Sequence, residues 1–193
     1  MFGKLVTASA CLLALLALAA AQDTHFCNDG WDLYTTTWHD QTHHSCFYFG
    51  TNFEKVSHDT AKLLCNGMGA FLAEVPYGPH LNSWIVQKLL EKNNLLDAEG
   101  KPDTRRPHFE TQYWLGARDF GHHNEHVPGE WMWEHRNTTV QWFDWADNEP
   151  NNFHGQSCLT YLLEESIFGF RDFKWNDWDC NEVADFICEV VID

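Results

Sequence analysis

Six cysteines constrain this chain more than any other feature. Seven are present, and the first, Cys11, falls in a stretch patterned as a secretion leader. Lys4 is its positive start and Leu12-Leu13-Ala14-Leu15-Leu16-Ala17-Leu18 its apolar core. Ala19-Ala20-Ala21 is a small-residue cleavage site, so residues 1–21 read as a signal peptide and the mature chain as 22–193. The apolar run is too short to span a bilayer comfortably, and no other run is long enough. A soluble, secreted, extracellular protein without a membrane span is therefore expected. Cys27, Cys46, Cys65, Cys158, Cys180 and Cys188 remain after cleavage. An even count in a secreted chain reads as three disulfides, for which spacing alone allows fifteen connectivities. Each bridge contributes about 2–4 kcal/mol, mainly by restricting the unfolded chain. The mature length suits one domain with a real core, and ten tryptophans with fourteen phenylalanines point to a packed aromatic interior.

Two short stretches rich in hard oxygen atoms sit beside cysteines. Glu149-Pro150-Asn151-Asn152 precedes Cys158, and Trp175-Asn176-Asp177 precedes Cys180. A Cys158–Cys180 bridge would pin the two side by side. Calcium takes six to eight oxygen ligands in flexible geometry, which such a pair of clusters can supply. The formal charge of −16 becomes −17 without Lys4, the leader's one charged residue. That excess fits a holder of divalent cations and argues against a nucleic-acid partner, which needs a basic face. Most of these carboxylates serve solubility alone.

Along the chain, residues 22–50 read as an N-terminal hairpin. Cys27–Cys46 is its natural pairing, and Cys46-Phe47-Tyr48-Phe49 is β-prone. Residues 57–68 read as a helix with Ser57 as N-cap and Gly67 and Gly69 as its stop. Ala61, Leu64, Cys65 and Met68 form its apolar stripe, so Cys65 faces the core. Phe71 to Val75 reads as a short strand. Residues 80–92 make a second helix, striped by Leu81, Trp84, Ile85 and Leu89 with Lys88 as the exception. Residues 93–111 read as a long polar surface loop. Its Arg105-Arg106 pair is either a processing site or two solvated charges. Tyr113 to Ala117 and Glu130 to Trp133 read as strands, the latter with Trp131 and Trp133 on one face. The intervening His122-His123-Asn124-Glu125-His126 carries imidazoles that suit zinc or copper but matches no catalytic zinc spacing, and an exposed polar turn is its default reading. Asn137-Thr138-Thr139 is a glycosylation sequon. Cys158 to Leu162, Phe173 to Trp175 and Asp185 to Val190 complete the strands.

In this order the pieces resemble the C-type lectin-like domain over essentially the whole mature chain. They are the helix with Cys65 leading to Gly69-Ala70-Phe71-Leu72-Ala73, then Trp114-Leu115-Gly116, Glu149-Pro150-Asn151, Cys158, Trp175-Asn176-Asp177, Cys180 and Phe186-Ile187-Cys188-Glu189. Each piece is weak alone; the ordered set is specific. The resemblance implies an α+β fold with two helices, two small antiparallel sheets and a long calcium-binding loop region. It implies the pairings Cys65–Cys188 and Cys158–Cys180, with Cys27–Cys46 as the extra bridge of the family's long form. Residues 51–193 would be the core and 22–50 its hairpin extension.

The resemblance further implies calcium (Ca2+) held by Glu149, Asn151, Gln156, Asn176 and Asp177, with a cis bond before Pro150. Sugar would bind the ion directly while Glu149, Asn151, Asn176 and Asp177 hydrogen-bond its hydroxyls. Ionised Glu149 only accepts, whereas the Asn151 amide donates and accepts. Glu-Pro-Asn in the family favours glycans with equatorial 3- and 4-hydroxyls, as in mannose, glucose and N-acetylglucosamine. Phe153 could stack on a sugar ring or pack in its loop. His154, if near the ion, would add repulsion below about pH 6.5 and release ligand in acid. One departure stands out: family members place a glutamate where Gln156 stands, and the loop is one residue short, so a working but weaker calcium site is expected. An auxiliary site would have Asp119 but meets Asn152 and Ser157 where calcium-rich members carry carboxylates.

The leading expectation is a secreted lectin recognising microbial surface polysaccharides in innate immunity, a step resting on the family resemblance. One weak site would need clustering, through oligomerisation by domain contacts, to hold a surface. The alternative is a module of the same fold that binds protein, ice or mineral. An enzyme is not expected: there is no Gly-x-Ser-x-Gly elbow, convincing zinc motif or free cysteine nucleophile.

Overall fold

The computed structural model describes residues 27–38, 40–51, 54–103, 111–121, 130–165 and 171–192. The leader, the Arg105-Arg106 pair and the His122 to His126 run lie outside these residues. Strands β1 (Asp32–Trp38) and β2 (Gln41–Phe49) form the expected hairpin, paired from Asp32↔Phe47 to Trp38↔Gln41. A run of threonines and aromatics makes β1 a strand, and the Cys27–Cys46 bridge ties its approach to β2.

Helix α1 (His58–Gly67) starts after Ser57, whose backbone is extended but whose hydroxyl makes no capping bond. Ser57 Oγ pairs with Thr60 Oγ1 at 3.0 Å instead. Gly69, at φ 73°, reverses the chain in the left-handed region that glycine tolerates. Ala61 and Cys65 are buried as the stripe predicts. Met68 is 41% exposed because the helix has ended and the chain is turning there.

Helix α2 (Pro79–Lys92) begins with Pro79 at a first-turn position, where the missing N–H is no loss. Its buried face is wider than the stripe: Asn82, Val86 and Leu90 join Leu81, Ile85 and Leu89. Trp84 is only half-buried. Lys88 sits at the rim, 3.0 Å from Glu91 and 3.6 Å from Asp32 of β1. The loop after α2 is less of a surface loop than expected. Leu95 is buried, and the Asp97 carboxylate accepts the Glu99 and Lys101 amides to form a tight turn.

The remaining strands are β3 (Phe71–Leu72), β4 (Gln112–Asp119), β5 (Trp131–Trp133), β6 (Thr138–Thr139), β7 (Cys158–Glu165), β8 (Arg171–Trp178) and β9 (Asp185–Ile192). The path runs β1-β2-β9-β4-β5-β6, with β3 on β9, β7 on β4 and β8 on β7. The two antiparallel sheets that the resemblance implies are thus joined, through a parallel pairing of Tyr113 and Trp114 with Asp185 and Phe186. Close approach of β3 to β4 requires Gly116: a Cβ there would lie 2.4 Å from the Leu72 carbonyl oxygen.

Alternation along β4 and β9 divides the interior in two. Tyr113, Leu115 and Ile187 face the α2 side, with Phe47, Trp133, Tyr161, Phe173 and Trp175. Trp114, Phe186 and Cys188 face the α1 side, with Ala61, Cys65 and Leu72. Cys65–Cys188 bridges α1 to β9 within this second core, and Cys158–Cys180 ties β7 to the segment after β8.

A buried ion cluster fastens the turn after β5 to this frame. Arg136 reaches Glu74 at 2.8 Å and Glu189 at 2.9 Å, both carboxylates fully buried. Ser45 Oγ also donates to Glu189, and the His135 and Arg136 amides donate to Glu74. Burial pushes the Glu74 carboxyl above its ordinary range, although Arg136 opposes the shift. Removing a partner from such a cluster strands a charge. Arg136→Met is therefore expected to lower unfolding free energy by about 3–5 kcal/mol near pH 7. Glu74, with its folded pKa raised, favours the folded state most when protonated, so the deficit should shrink as pH falls. Urea denaturation of both proteins at about pH 7 and about pH 5 checks this; a deficit that grows in acid would contradict it.

Candidate functional site

The segment leading to Glu149 is held by aromatic packing and two backbone bonds. Trp142, Phe143 and Trp145 surround Trp175 of β8 with ring centroids 5.1–6.2 Å apart. The Trp175 amide donates to the Asp144 carbonyl at 2.7 Å, and the Ala146 amide donates to the Trp175 carbonyl at 2.8 Å. The Glu149 amide then closes a turn on the Ala146 carbonyl. Trp131 and Trp133 are buried beneath, on one face as expected. This pairing sets the stretch before Glu149 beside the strand that carries Asp177.

Asp177 is 1% exposed and organises the loop. Its Oδ1 accepts the Asn151 amide at 3.1 Å and its Oδ2 the Asn152 amide at 2.6 Å. Glu149 accepts the Asn151 amide on Oε2 and the Asn151 side-chain nitrogen on Oε1, at 3.1 and 2.9 Å. Asn151 Oδ1 accepts the Phe153 amide at 2.8 Å. The Glu149–Pro150 bond is cis. Glu149, Asn151 and Asp177 thus form one connected group.

Burial and a neighbouring acid set the electrostatics of that group. Burial, and then the adjoining Asp177 carboxylate, push the Glu149 carboxyl up to about 7. Two carboxylates forced together without a counter-ion disfavour their joint ionised state. Gln156 is buried, and its Oε1 has no hydrogen-bond partner. An orphaned buried carbonyl oxygen is expensive unless something meets it. Carboxylate and amide oxygens are the donors that calcium takes, so the donor chemistry fits that ion. Among the described residues no three His, Cys, Asp or Glu side chains cluster as a metal site; the donors here mix acids with amides.

Asn176 lies elsewhere in its contacts. It is 3% exposed, and its Nδ2 donates to Gln112 Oε1 at 3.4 Å inside the β4–β7–β8 sheet. Thr160 Oγ1 also contacts Gln112 Oε1 and the Asn176 carbonyl. Adjacent strand residues point to opposite faces, so Asn176 and Asp177 diverge. Sequence reasoning missed Gln112, which carries no local motif, and the Asn152 amide, since backbone donors leave no sequence signal. Phe153 is 63% exposed at the loop tip, with the His154 ring edge-on at 4.0 Å. Asp119 Oδ1 is engaged by the Gly121 amide, and Ser157 Oγ lies 3.4 Å from Cys180 Sγ. Asn137 sits exposed at φ 51° in the turn between β5 and β6, followed by two exposed threonines.

Comparison with known proteins yields likenesses of one kind. Residues 54–190 match the family model for the lectin C-type domain. A perlucin-like protein of Mytilus galloprovincialis is 26% identical over 163 residues, covering 84% of this chain and 81% of that protein. SPL-1, solved as a complex with GlcNAc, superposes with a TM-score of 0.56 at 21% identity, covering 85% of this chain and 94% of that one. The herring type II antifreeze protein superposes with a TM-score of 0.53 at 20% identity, over 86% of this chain and 100% of that one. At such identities the two structures are likenesses of fold.

The raised Glu149 carboxyl has a measurable sign. A carboxyl whose folded pKa exceeds its unfolded value stabilises fully below the unfolded value, and that contribution is lost as pH rises through the folded one. In chelator, the melting temperature should therefore fall between about pH 5 and about pH 8. Glu149→Gln should flatten the fall; a slope unchanged in that variant would place its cause elsewhere.

Proposed function

The chain belongs to the C-type lectin domain family, and from that premise we propose that it is a secreted, calcium-dependent carbohydrate-binding protein. The observation that carries this reading is the Glu149–Asn151–Asp177 group with the orphaned Gln156 oxygen beside it in the chain. Glu149, Asn151, Gln156 and Asp177 would hold the ion, whereas Asn176, turned toward Gln112, would stay outside the ligand set. Bound calcium would supply a positive centre to which two neighbouring hydroxyls of a hexose can be coordinated. Asp177, through the Asn151 and Asn152 amides, keeps the loop in its receiving shape. Glu149 offers only acceptor oxygens and Asn151 an amide donor, a complementary pair for one diol. Phe153 offers an exposed ring face at the tip.

The glycans favoured are those with equatorial 3- and 4-hydroxyls, of the mannose, glucose and N-acetylglucosamine type. Microbial surface polysaccharides in an innate immune setting are the proposed targets, reached through several copies acting together. Asn137, exposed in its turn, is the proposed N-glycosylation site. Among the described residues no helix is long and apolar enough to cross a membrane. The role is binding, without catalysis. A second reading, recognition of protein, ice or mineral, draws support from the fold likeness to an antifreeze protein and from the charge missing at Gln156.

Retention on mannose-agarose in calcium with elution by chelator tests the first reading. Indifference to both, with no calcium uptake at millimolar concentration, would favour the second. Gln156→Glu restores a charge among the proposed ligands. It should tighten calcium binding at least about tenfold, since a unit charge beside a divalent ion is worth well over 1.4 kcal/mol even when screened by protein. Calorimetric titration of the two proteins measures it.

A further inference from the structure

Polar residues on the buried face of a helix are costly unless every polar atom is matched. Asn82 is such a residue: it lies on the inner face of α2 and is 4% exposed. Its Oδ1 accepts the Tyr161 hydroxyl of β7 at 2.6 Å and the Trp175 Nε1–H of β8 at 3.1 Å. Its Nδ2 donates to Asp144 Oδ2 at 2.8 Å. The amide has only one workable orientation. An indole N–H can only donate and an ionised carboxylate only accept, so oxygen faces Trp175 and nitrogen faces Asp144. Lys174 Nζ holds the other Asp144 oxygen at 2.8 Å, which fixes that carboxylate in turn.

These bonds meet both halves of the candidate site. Trp175 is followed directly by Asn176 and Asp177. Asp144 begins the segment that runs through Ala146 to Glu149, and the two are cross-linked by the backbone bonds between Trp175 and Asp144 and between Ala146 and Trp175. One side chain on a helix therefore sets the indole of one strand and the carboxylate of the other segment. We infer that Asn82 is a positioning residue for the Glu149–Asn151–Asp177 site, holding its two chain segments in register from behind. The inference rests on the calcium reading of that site for its consequence, but its geometry lies in contacts among protein atoms alone.

Three variants and three measurements test it. Asn82→Ala removes the hub, Tyr161→Phe removes one of its bonds, and Leu89→Ala opens the core on the same helix without touching the network. Calcium affinity is measured by calorimetry at a temperature where near-ultraviolet circular dichroism shows each protein folded. Melting temperature is measured alongside. Amide hydrogen exchange at Asn151 and Asn152 is followed in chelator. Asn82→Ala should weaken calcium binding about tenfold, the low end for outer-shell changes at metal sites, and Tyr161→Phe by a smaller factor. Both should speed exchange at the two amides that Asp177 holds. Leu89→Ala should lower the melting temperature while leaving affinity and those exchange rates within about twofold of the native chain. If Asn82→Ala lowers only the melting temperature, as Leu89→Ala does, the positioning role is overturned. If the native chain takes up no calcium, the calcium reading fails, and the exchange rates alone decide the role of Asn82.

Discussion

The pairing of β9 on both edges is the constraint on which the rest of the structure depends. One edge carries β2 over six positions, and the other carries β4 and β3. Both of its faces are covered, by the α2 core at Ile187 and the α1 core at Phe186 and Cys188. A strand so enclosed must be largely apolar on both sides, and the fully buried charge within it, Glu189, is matched by Arg136 and Ser45. Because β9 touches the hairpin, both cores and β4, the long segment between Cys65 and Cys188 is anchored at each end. That segment, carrying β4 to β8, is free to use irregular backbone in the candidate-site loop.

The loop obeys a different physics. It buries little apolar side-chain surface at its tip, where Asn151 to Gly155 are all exposed. Its shape comes from carboxylates that accept backbone amides: Asp177 takes two, and Glu149 takes one together with a side-chain amide. This gathers negative charge around a few oxygen atoms and leaves the Gln156 oxygen without a donor. Hydrogen bonds to backbone N–H lower the energy of each carboxylate, while burial and the neighbouring acid raise it. At Glu149 the second effect wins. The Arg136 cluster differs in that its two buried carboxylates meet a guanidinium.

Much of the fold was legible in local pattern. Pro79 and the apolar spacing of Leu81, Ile85 and Leu89 mark α2 because helix periodicity is a short-range property. Trp131 and Trp133 fall on one buried face because strands alternate. The errors lie where tertiary contact overrides pattern. Met68 continues the α1 stripe in sequence but stands past the last helical turn. Asn82 stands outside the α2 stripe read from the sequence, since a stripe of apolar residues says nothing about three partners at distant positions. Leu95 lies in a stretch whose polarity suggested a surface loop, yet it is buried against α2. At the site, Glu149, Asn151 and Asp177 were all read from two short motifs. The divergence of Asn176 toward Gln112 was not, because which way a side chain leaves a strand depends on the register of its neighbours.

The sequence by itself determined the number of bridges to expect, the helices, most of the strands and the family to which the chain belongs. These follow from periodicity, from cysteine count and from motifs in fixed order, all of which are local or additive. Only the tertiary structure decided that the two sheets join through β4 and β9, that Arg136 closes a buried pair of acids, and that one asparagine on a helix meets both segments of the site. Those depend on atoms brought together from positions far apart in the chain. Long-range juxtaposition is set by the packing of the whole core, and no short stretch of residues encodes it.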